Sequence, residues 1–100
     1  MRLKDFSLLT LLLFSLFSPV WGQYSFTGKV MNAETREPVV EAEVFLPATG
    51  NSSITNKQGE FRIYGLTTGT YELLVFRYGF TTIESTIVIA NEDLVQAFSL

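Results

Sequence analysis

Short runs of alternating apolar and polar residues, separated by turn-forming residues, dominate the chain after residue 22. In the first run, Tyr24, Phe26, Gly28 and Val30 alternate with polar or charged residues. Such alternation has the period of a half-buried β-strand, whereas an amphipathic helix repeats every ~3.6 residues. The pattern therefore predicts an all-β domain.

The remaining runs extend this prediction to seven strands. The predicted ranges are 24–30, 41–46, 53–56, 60–64, 70–77, 81–90 and 94–100. The fifth is expected to be a central strand, because the run 73–76 is apolar on both faces. Gly, Asn and Asp between the runs supply turn conformations. Seven short strands in residues 23–100 fit a two-sheet sandwich.

Residues 1–22 have the features of a secretory signal peptide. Arg2 and Lys4 form a basic start, and the mainly apolar run 6–17 is followed by Pro19. The alternative is a membrane anchor, but the run is shorter than the ~18 residues that a spanning helix needs. We predict cleavage between Gly22 and Gln23 and export of a mature domain, residues 23–100, without a transmembrane segment.

The residue types present restrict the chemistry. Cys and His are both absent, which removes disulfides, thiol nucleophiles, the commonest metal ligand and the usual general base near neutral pH. A net charge of −3 argues against a nucleic-acid partner. We therefore expect no enzyme activity, no catalytic residue, no metal and no cofactor.

Four glutamates lie close together in the sequence: Glu34, Glu37, Glu41 and Glu43. Carboxylates of this kind could bind calcium, but no Asp-rich ligand pattern accompanies them. The favoured interpretation is a solvated acidic edge, which also discourages aggregation between strands.

Lys29 could in principle form an isopeptide bond with an inward-facing Asn on a neighbouring strand. Lys29 is expected to face outward, because Phe26 and Val30 take the inward positions of the alternating pattern. The last predicted strand also contains no Asn. We therefore expect no such bond.

Several short motifs occur in a fixed order from residue 28 to residue 80. They are Gly28-Lys29-Val30, Thr35-Arg36-Glu37-Pro38-Val39, Glu41-Ala42-Glu43-Val44, Thr55-Asn56-Lys57-Gln58-Gly59-Glu60-Phe61, Leu66-Thr67-Thr68-Gly69-Thr70-Tyr71-Glu72-Leu73 and Tyr78-Gly79-Phe80. The series resembles a carboxypeptidase-regulatory-like domain, a seven-stranded transthyretin-like module. Arg36 and Asn56 depart from it, since the family often has Gly and Asp there.

The resemblance implies structural roles for eight residues of these motifs, with Gly59 and Gly69 as backbone pivots and Phe61 and Tyr71 in the core. The eight are Gly28, Pro38, Ala42, Gly59, Phe61, Gly69, Tyr71 and Gly79.

The resemblance also implies a setting. Such modules occur behind the catalytic domain of metallocarboxypeptidases and as N-terminal extensions of TonB-dependent outer-membrane receptors. A module that directly follows its leader favours the receptor, in the periplasm or outer membrane of a Gram-negative bacterium. The chain's end at Leu100 favours a truncated receptor. The alternatives are a free-standing secreted β-sandwich that binds protein or glycan, and an accessory domain of a carboxypeptidase.

A second apolar face is expected opposite the core. Its candidate residues are Phe45, Tyr64, Leu74, Phe76 and Tyr78, which alternate away from the predicted core positions. Loops or strand curvature could cover some of them. The functional interpretation is a docking face for a protein of the cell envelope, such as a receptor plug or barrel.

Overall fold

The computed structural model describes residues 23–100, so the predicted signal peptide and Gly22 of its cleavage site lie outside the described residues. The seven strands are β1 Tyr24–Met31, β2 Glu43–Leu46, β3 Asn51–Ile54, β4 Glu60–Leu66, β5 Gly69–Phe76, β6 Ile83–Ile89 and β7 Leu94–Ser99. They confirm the predicted all-β class and the number of strands.

The strands form two sheets. The three-stranded sheet has the order β4-β1-β7 and the four-stranded sheet has the order β3-β2-β5-β6. β1 and β7 pair in parallel, whereas the other paired strands are antiparallel. β5 lies between β2 and β6, which confirms the central position expected from its doubly apolar sequence.

The third strand lies two residues earlier than predicted, at Asn51–Ile54 instead of 53–56. Thr55 is buried outside the strand, where its hydroxyl bonds to the preceding loop. The Asn56 side chain accepts the backbone N–H groups of Gln58 and Glu60 and so builds the next turn. The side chains of Thr55 and Asn56 thus bond to backbone groups of the preceding loop and the following turn, and the pairing of β3 with β2 ends at Ile54.

Three other boundaries differ from the prediction by two residues. β2 begins at Glu43 rather than at Glu41, whose φ of 61° is incompatible with an extended strand. β4 continues to Leu66, which pairs with Tyr24 beyond an irregularity in the β1–β4 register. β6 begins at Ile83 rather than at residue 81.

The core fills the space between the sheets. Three aromatic rings of the three-stranded sheet pack together, with Phe26 in edge-to-face geometry 5.0 Å from Phe61 and 6.3 Å from Phe98. Aliphatic side chains of the other sheet complete the core, including Val44, Leu46, Leu73, Val75, Ile87 and Ile89. Alternate residues of each strand thus face inward, and the residues between them form two outer faces.

Gly28 lies on β1, directly beside the β7 backbone. A Cβ atom at this position would overlap the backbone carbonyl oxygen of Gln96 and lie 2.9 Å from the Phe61 ring. Gly28 is opposite Gln96 in the parallel register and opposite Phe61 in the antiparallel one. The position therefore has no room for a side chain, which explains the glycine that opens the motif series.

Candidate functional site

The outer face of the four-stranded sheet carries an apolar patch. Phe45 of β2 is directly opposite Leu74 of β5, and both side chains are half-buried. Phe76 lies two residues further along β5, opposite Glu43, and is 48% exposed. Their sequence neighbours Val44, Leu73 and Val75 are buried in the core. We call the patch of Phe45, Leu74 and Phe76 the β2–β5 face.

Carboxylates surround the β2–β5 face. Glu43 lies opposite Phe76, Glu84 lies opposite Leu74, and Glu72 lies two residues from Leu74 on the same side of β5. None of the four strands of this sheet contains Lys or Arg. The surface is therefore apolar at its centre and negative at its margin.

The structure brings together only part of the predicted docking set. Phe45, Leu74 and Phe76 share the β2–β5 face. Tyr78 lies in the turn after β5 and is 84% exposed. Tyr64 lies on β4, in the three-stranded sheet, and is 63% exposed. Simple alternation along the sequence could not show this separation, because it does not say which strands share a sheet.

Arg62 and Tyr64 form a pair on the outer face of the three-stranded sheet. The Arg62 guanidinium donates a hydrogen bond of 2.7 Å to the Tyr64 hydroxyl and its carbon atom lies 5.6 Å from the ring centroid. The hydrogen bond to Tyr64 raises the pKa of the Arg62 side chain. The pair therefore presents a fixed positive charge beside an aromatic ring.

The motif around Thr55 fastens a loop to the four-stranded sheet. The Thr55 hydroxyl donates to the Val39 carbonyl oxygen over 2.6 Å and accepts from the Ala42 amide over 2.8 Å. Gly59 has a φ of 77°, and a side chain there would press on Pro38 and the Val30 carbonyl. Ala42, Pro38 and Gly59 thus contribute to one structural junction, in which the Thr55 hydroxyl already has its hydrogen-bond partners.

The remaining motif residues also contact the scaffold. Phe61 and Tyr71 are buried, and the Tyr71 hydroxyl donates to the Thr67 carbonyl oxygen over 2.7 Å. Gly79 has a φ of 90° in the turn after β5, which favours glycine. Gly69 has a φ of 159° and begins β5, and a side chain there would only touch the Tyr71 ring.

The four clustered glutamates are all exposed. Glu41 lies in a turn, so it does not share a strand with Glu43, although the predicted strand 41–46 included both. Glu34 and Thr35 donate their backbone N–H groups to the Asn32 side chain, which shapes the loop before Pro38. Within residues 23–100, no group of three acidic side chains has a geometry that could hold a metal ion.

Lys29 is exposed on β1, between Glu60 of β4 and Ala97 of β7. It therefore points to the outer face, as its alternation predicts. Val95 of β7 is 75% exposed on this same outer face. Ile54 is 61% exposed and lies on β3, opposite Glu43, in the row of the four-stranded sheet that also contains Phe76. The sequence pattern predicted strands at both positions but did not indicate that exposed apolar residues there can mark a binding surface.

Residues 23–100 contain no helix that is long and apolar enough to cross a membrane.

Several solved bacterial structures are similar to this chain in fold. A type II cohesin–X-dockerin complex of Acetivibrio cellulolyticus contains a chain with a TM-score of 0.64 and 21% identity, over 75% of this chain and 52% of that one. A putative carbohydrate binding protein from Bacteroides uniformis has a TM-score of 0.60 and 21% identity, over 76% of this chain and 40% of that one. This protein thus spans about half the length, or less, of these matched chains.

A DUF3823 family protein from Bacteroides ovatus is similar over 78% of this chain, with a TM-score of 0.58 and 17% identity. At such identities the likeness concerns the fold. No curated protein matches the sequence. The sequence of residues 26–100 matches the family described as CarboxypepD_reg-like domain. Because the match covers three quarters of the chain, and the motif junctions and the sandwich agree with it, the protein belongs to the CarboxypepD_reg-like domain family.

Proposed function

We propose that this domain is a non-catalytic interaction module of the bacterial cell envelope, the N-terminal extension of a TonB-dependent receptor. The family membership, the predicted leader before Gln23 and the setting implied by the motif series support this proposal. The domain is exported in this account and acts through its outer surface in the periplasm or at the outer membrane.

The observation that carries the proposal is the β2–β5 face. Two adjacent strands place Phe45, Leu74 and Phe76 on the outside of a sheet whose inside already has a complete core. Continuous apolar surface of this kind is typical of sites that bind another macromolecule. The patch is not needed to close the sandwich, so a partner is the simplest reason for it.

The charges around the patch define the partner's chemistry. Glu43, Glu72 and Glu84 border the β2–β5 face, and its four strands contain no basic residue. Complementary charges orient partners and exclude wrong ones. We expect the partner to present aliphatic or aromatic side chains flanked by Lys or Arg, as part of a receptor plug or barrel.

Site-specific photo-crosslinking in cells tests the proposal. A benzoylphenylalanine at position 76 is expected to yield one adduct, which mass spectrometry identifies as a TonB-dependent receptor or the continuation of its reading frame. The same probe at Lys57, an exposed residue of the turn between β3 and β4 and outside the β2–β5 face, is the matched control. Adducts of equal yield at both positions, or an adduct with an unrelated soluble protein, would contradict the receptor assignment.

The alternatives are a free-standing exported module that binds protein or glycan and an accessory domain of a carboxypeptidase. The reading frame downstream of Leu100 distinguishes all three. A plug and barrel supports the receptor, a stop codon followed by an unrelated gene supports the free-standing module, and a peptidase domain supports the accessory role.

A further inference from the structure

A groove of about 660 Å³ crosses the outer face of the three-stranded sheet. Its walls include Lys29, Arg62, Ile54 and Val95, and it runs from β7 across β1 and β4 to the edge of β3. The Arg62 amide donates a hydrogen bond of 3.1 Å to the Ser53 hydroxyl, which joins β4 to β3 at this edge. The groove is open to solvent and lies mainly on the three-stranded sheet, and only Ser53 and Ile54 of its lining belong to the sheet that carries the β2–β5 face. We call it the β1–β4 groove.

Positive charge predominates in the β1–β4 groove. Arg62 lies opposite Thr27, and Lys29 lies opposite Glu60, so the two cations are diagonal neighbours across the β1–β4 pair. Glu60 accepts a hydrogen bond of 3.2 Å from the Asn56 side chain, which partly engages the groove's carboxylate. Along the outer face of β7, Val95 and Ala97 are uncharged.

Arg62 is held in position before any ligand arrives. One terminal nitrogen donates to the Tyr64 hydroxyl over 2.7 Å, and the guanidinium lies over the Tyr64 ring. Its other N–H groups have no protein acceptor among residues 23–100 and so remain available. A guanidinium with a fixed plane is suited to a carboxylate, which it can bind through two parallel hydrogen bonds.

The apolar walls narrow the class of ligand. Ile54 is 61% exposed and Val95 is 75% exposed, on opposite sides of the cations. Both are aliphatic, whereas saccharide rings stack best on aromatic faces, and Phe61, the aromatic residue of the groove's lining, is buried in the core. A ligand with a carboxylate between two aliphatic side chains would match the groove, because the carboxylate would meet the cations and the aliphatic groups would meet the apolar walls.

From this arrangement we infer that the β1–β4 groove binds a short extended peptide segment in which an acidic residue lies between aliphatic residues. The carboxylate pairs with Arg62 and Lys29, and the flanking side chains contact Ile54 and Val95. Apart from its contact with Ile54 of β3, the peptide site lies on a different sheet from the β2–β5 face, and the inference does not depend on the proposed function.

Titration of the full chain, isotope-labelled and monitored by NMR, tests the inference. The probe is an acetylated and amidated hexapeptide pool with Glu fixed at the third position and Val, Ile or Leu at the second and fourth. The paired pool has Gln in place of Glu. We expect the Glu pool, but not the Gln pool, to shift the amide signals of Thr27, Lys29, Arg62 and Val95, and we expect the affinity to fall with added salt.

Two variants give the matched comparison. R62Q is expected to weaken binding of the Glu pool by about tenfold, because it removes a charged, bidentate donor. K57Q removes a cation outside the groove and is expected to leave the affinity within about twofold. Unchanged amide signals elsewhere in R62Q establish that the fold is retained.

Three results would overturn the inference. They are equal shifts with both pools, no shift at the groove with millimolar Glu pool, and shifts confined to the β2–β5 face. Galacturonate serves as a separate probe, and binding of this sugar without binding of the Glu pool would assign the groove to acidic saccharides instead.

Discussion

Thr55 is one residue whose side chain organises its surroundings. It is the buried polar residue of the core region, and its hydroxyl serves both the Val39 carbonyl and the Ala42 amide. A buried backbone group that loses its partner retains the full cost of its desolvation. The hydroxyl therefore has a structural and not a chemical role: it stabilises the loop between β1 and β2.

T55V tests this role. Valine keeps the shape of the side chain but leaves two backbone groups without a partner, so we expect the free energy of unfolding to fall by about 1–3 kcal/mol. T55S keeps the hydroxyl and is the control, with a smaller loss. Urea unfolding of both variants measures the difference, and equal stability of T55V and wild type would contradict the assigned role.

Arg36 occupies a position where its family often has glycine, and the structure explains the preference. Its φ is 64°, in the left-handed region that costs a residue with a side chain about 1–2 kcal/mol. We predict that R36G raises the free energy of unfolding by up to about 1 kcal/mol, because relief of strain exceeds the added entropy of the unfolded chain.

The control for R36G lies in the same exposed loop. Glu34 has a negative φ, so E34G gains no relief and should lower stability by about 0.4–1 kcal/mol. Thermal unfolding measures both variants. A loss of stability in R36G equal to that in E34G would show that the backbone at Arg36 is not strained.

At the scale of single strands, β5 separates two roles on neighbouring residues. Leu73 is 1% exposed and packs in the core, whereas Leu74 lies on the β2–β5 face. We expect L73A to cost about 2–5 kcal/mol, because it leaves a cavity in the core. L74A should cost less than half as much and should reduce crosslinking from position 76. Chemical denaturation of the two variants is the measurement, and similar losses would contradict the division of β5.

The pairing of β1 with β7 depends on Gly28. G28A places a methyl group against the Gln96 carbonyl and the Phe61 ring, and we expect it to cost at least about 2 kcal/mol through overpacking and lost pairing. Hydrogen exchange should show lost protection in β7. T27A, at the adjacent outward position, is the control. Retained protection of β7 in G28A would show that the strands can separate without cost.

The sequence predicted the strands, the two-sheet sandwich and the central position of β5, but not which strands share a sheet. Alternation of apolar and polar residues indicates which side chains of a strand face the core, so β1, β5 and their inward residues were predicted correctly. β3 ends where Thr55 forms hydrogen bonds with residues 13 and 16 positions away, which no local pattern contains. Tyr64 and Phe76 likewise lie on different sheets, and alternation along the sequence does not show which strands share a sheet.

At the scale of the whole molecule, the two outer faces differ in the sign of their charge. The β2–β5 face is bordered by glutamates, whereas the β1–β4 groove contains Lys29 and Arg62. A sandwich with a closed core and two chemically distinct surfaces can contact two partners at once. In this account the acidic side binds the receptor body and the basic groove binds an acidic peptide segment.

The absence of Cys allows the central claim, that the β2–β5 face is covered in the cell, to be measured directly. F76C and K57C each introduce a single thiol, and maleimide labelling rates are compared between purified protein and intact cell envelopes. We predict comparable rates for both variants in the purified protein and at least about tenfold slower labelling of F76C alone in the envelope. Equal labelling of both thiols in the envelope would mean that nothing docks on this face.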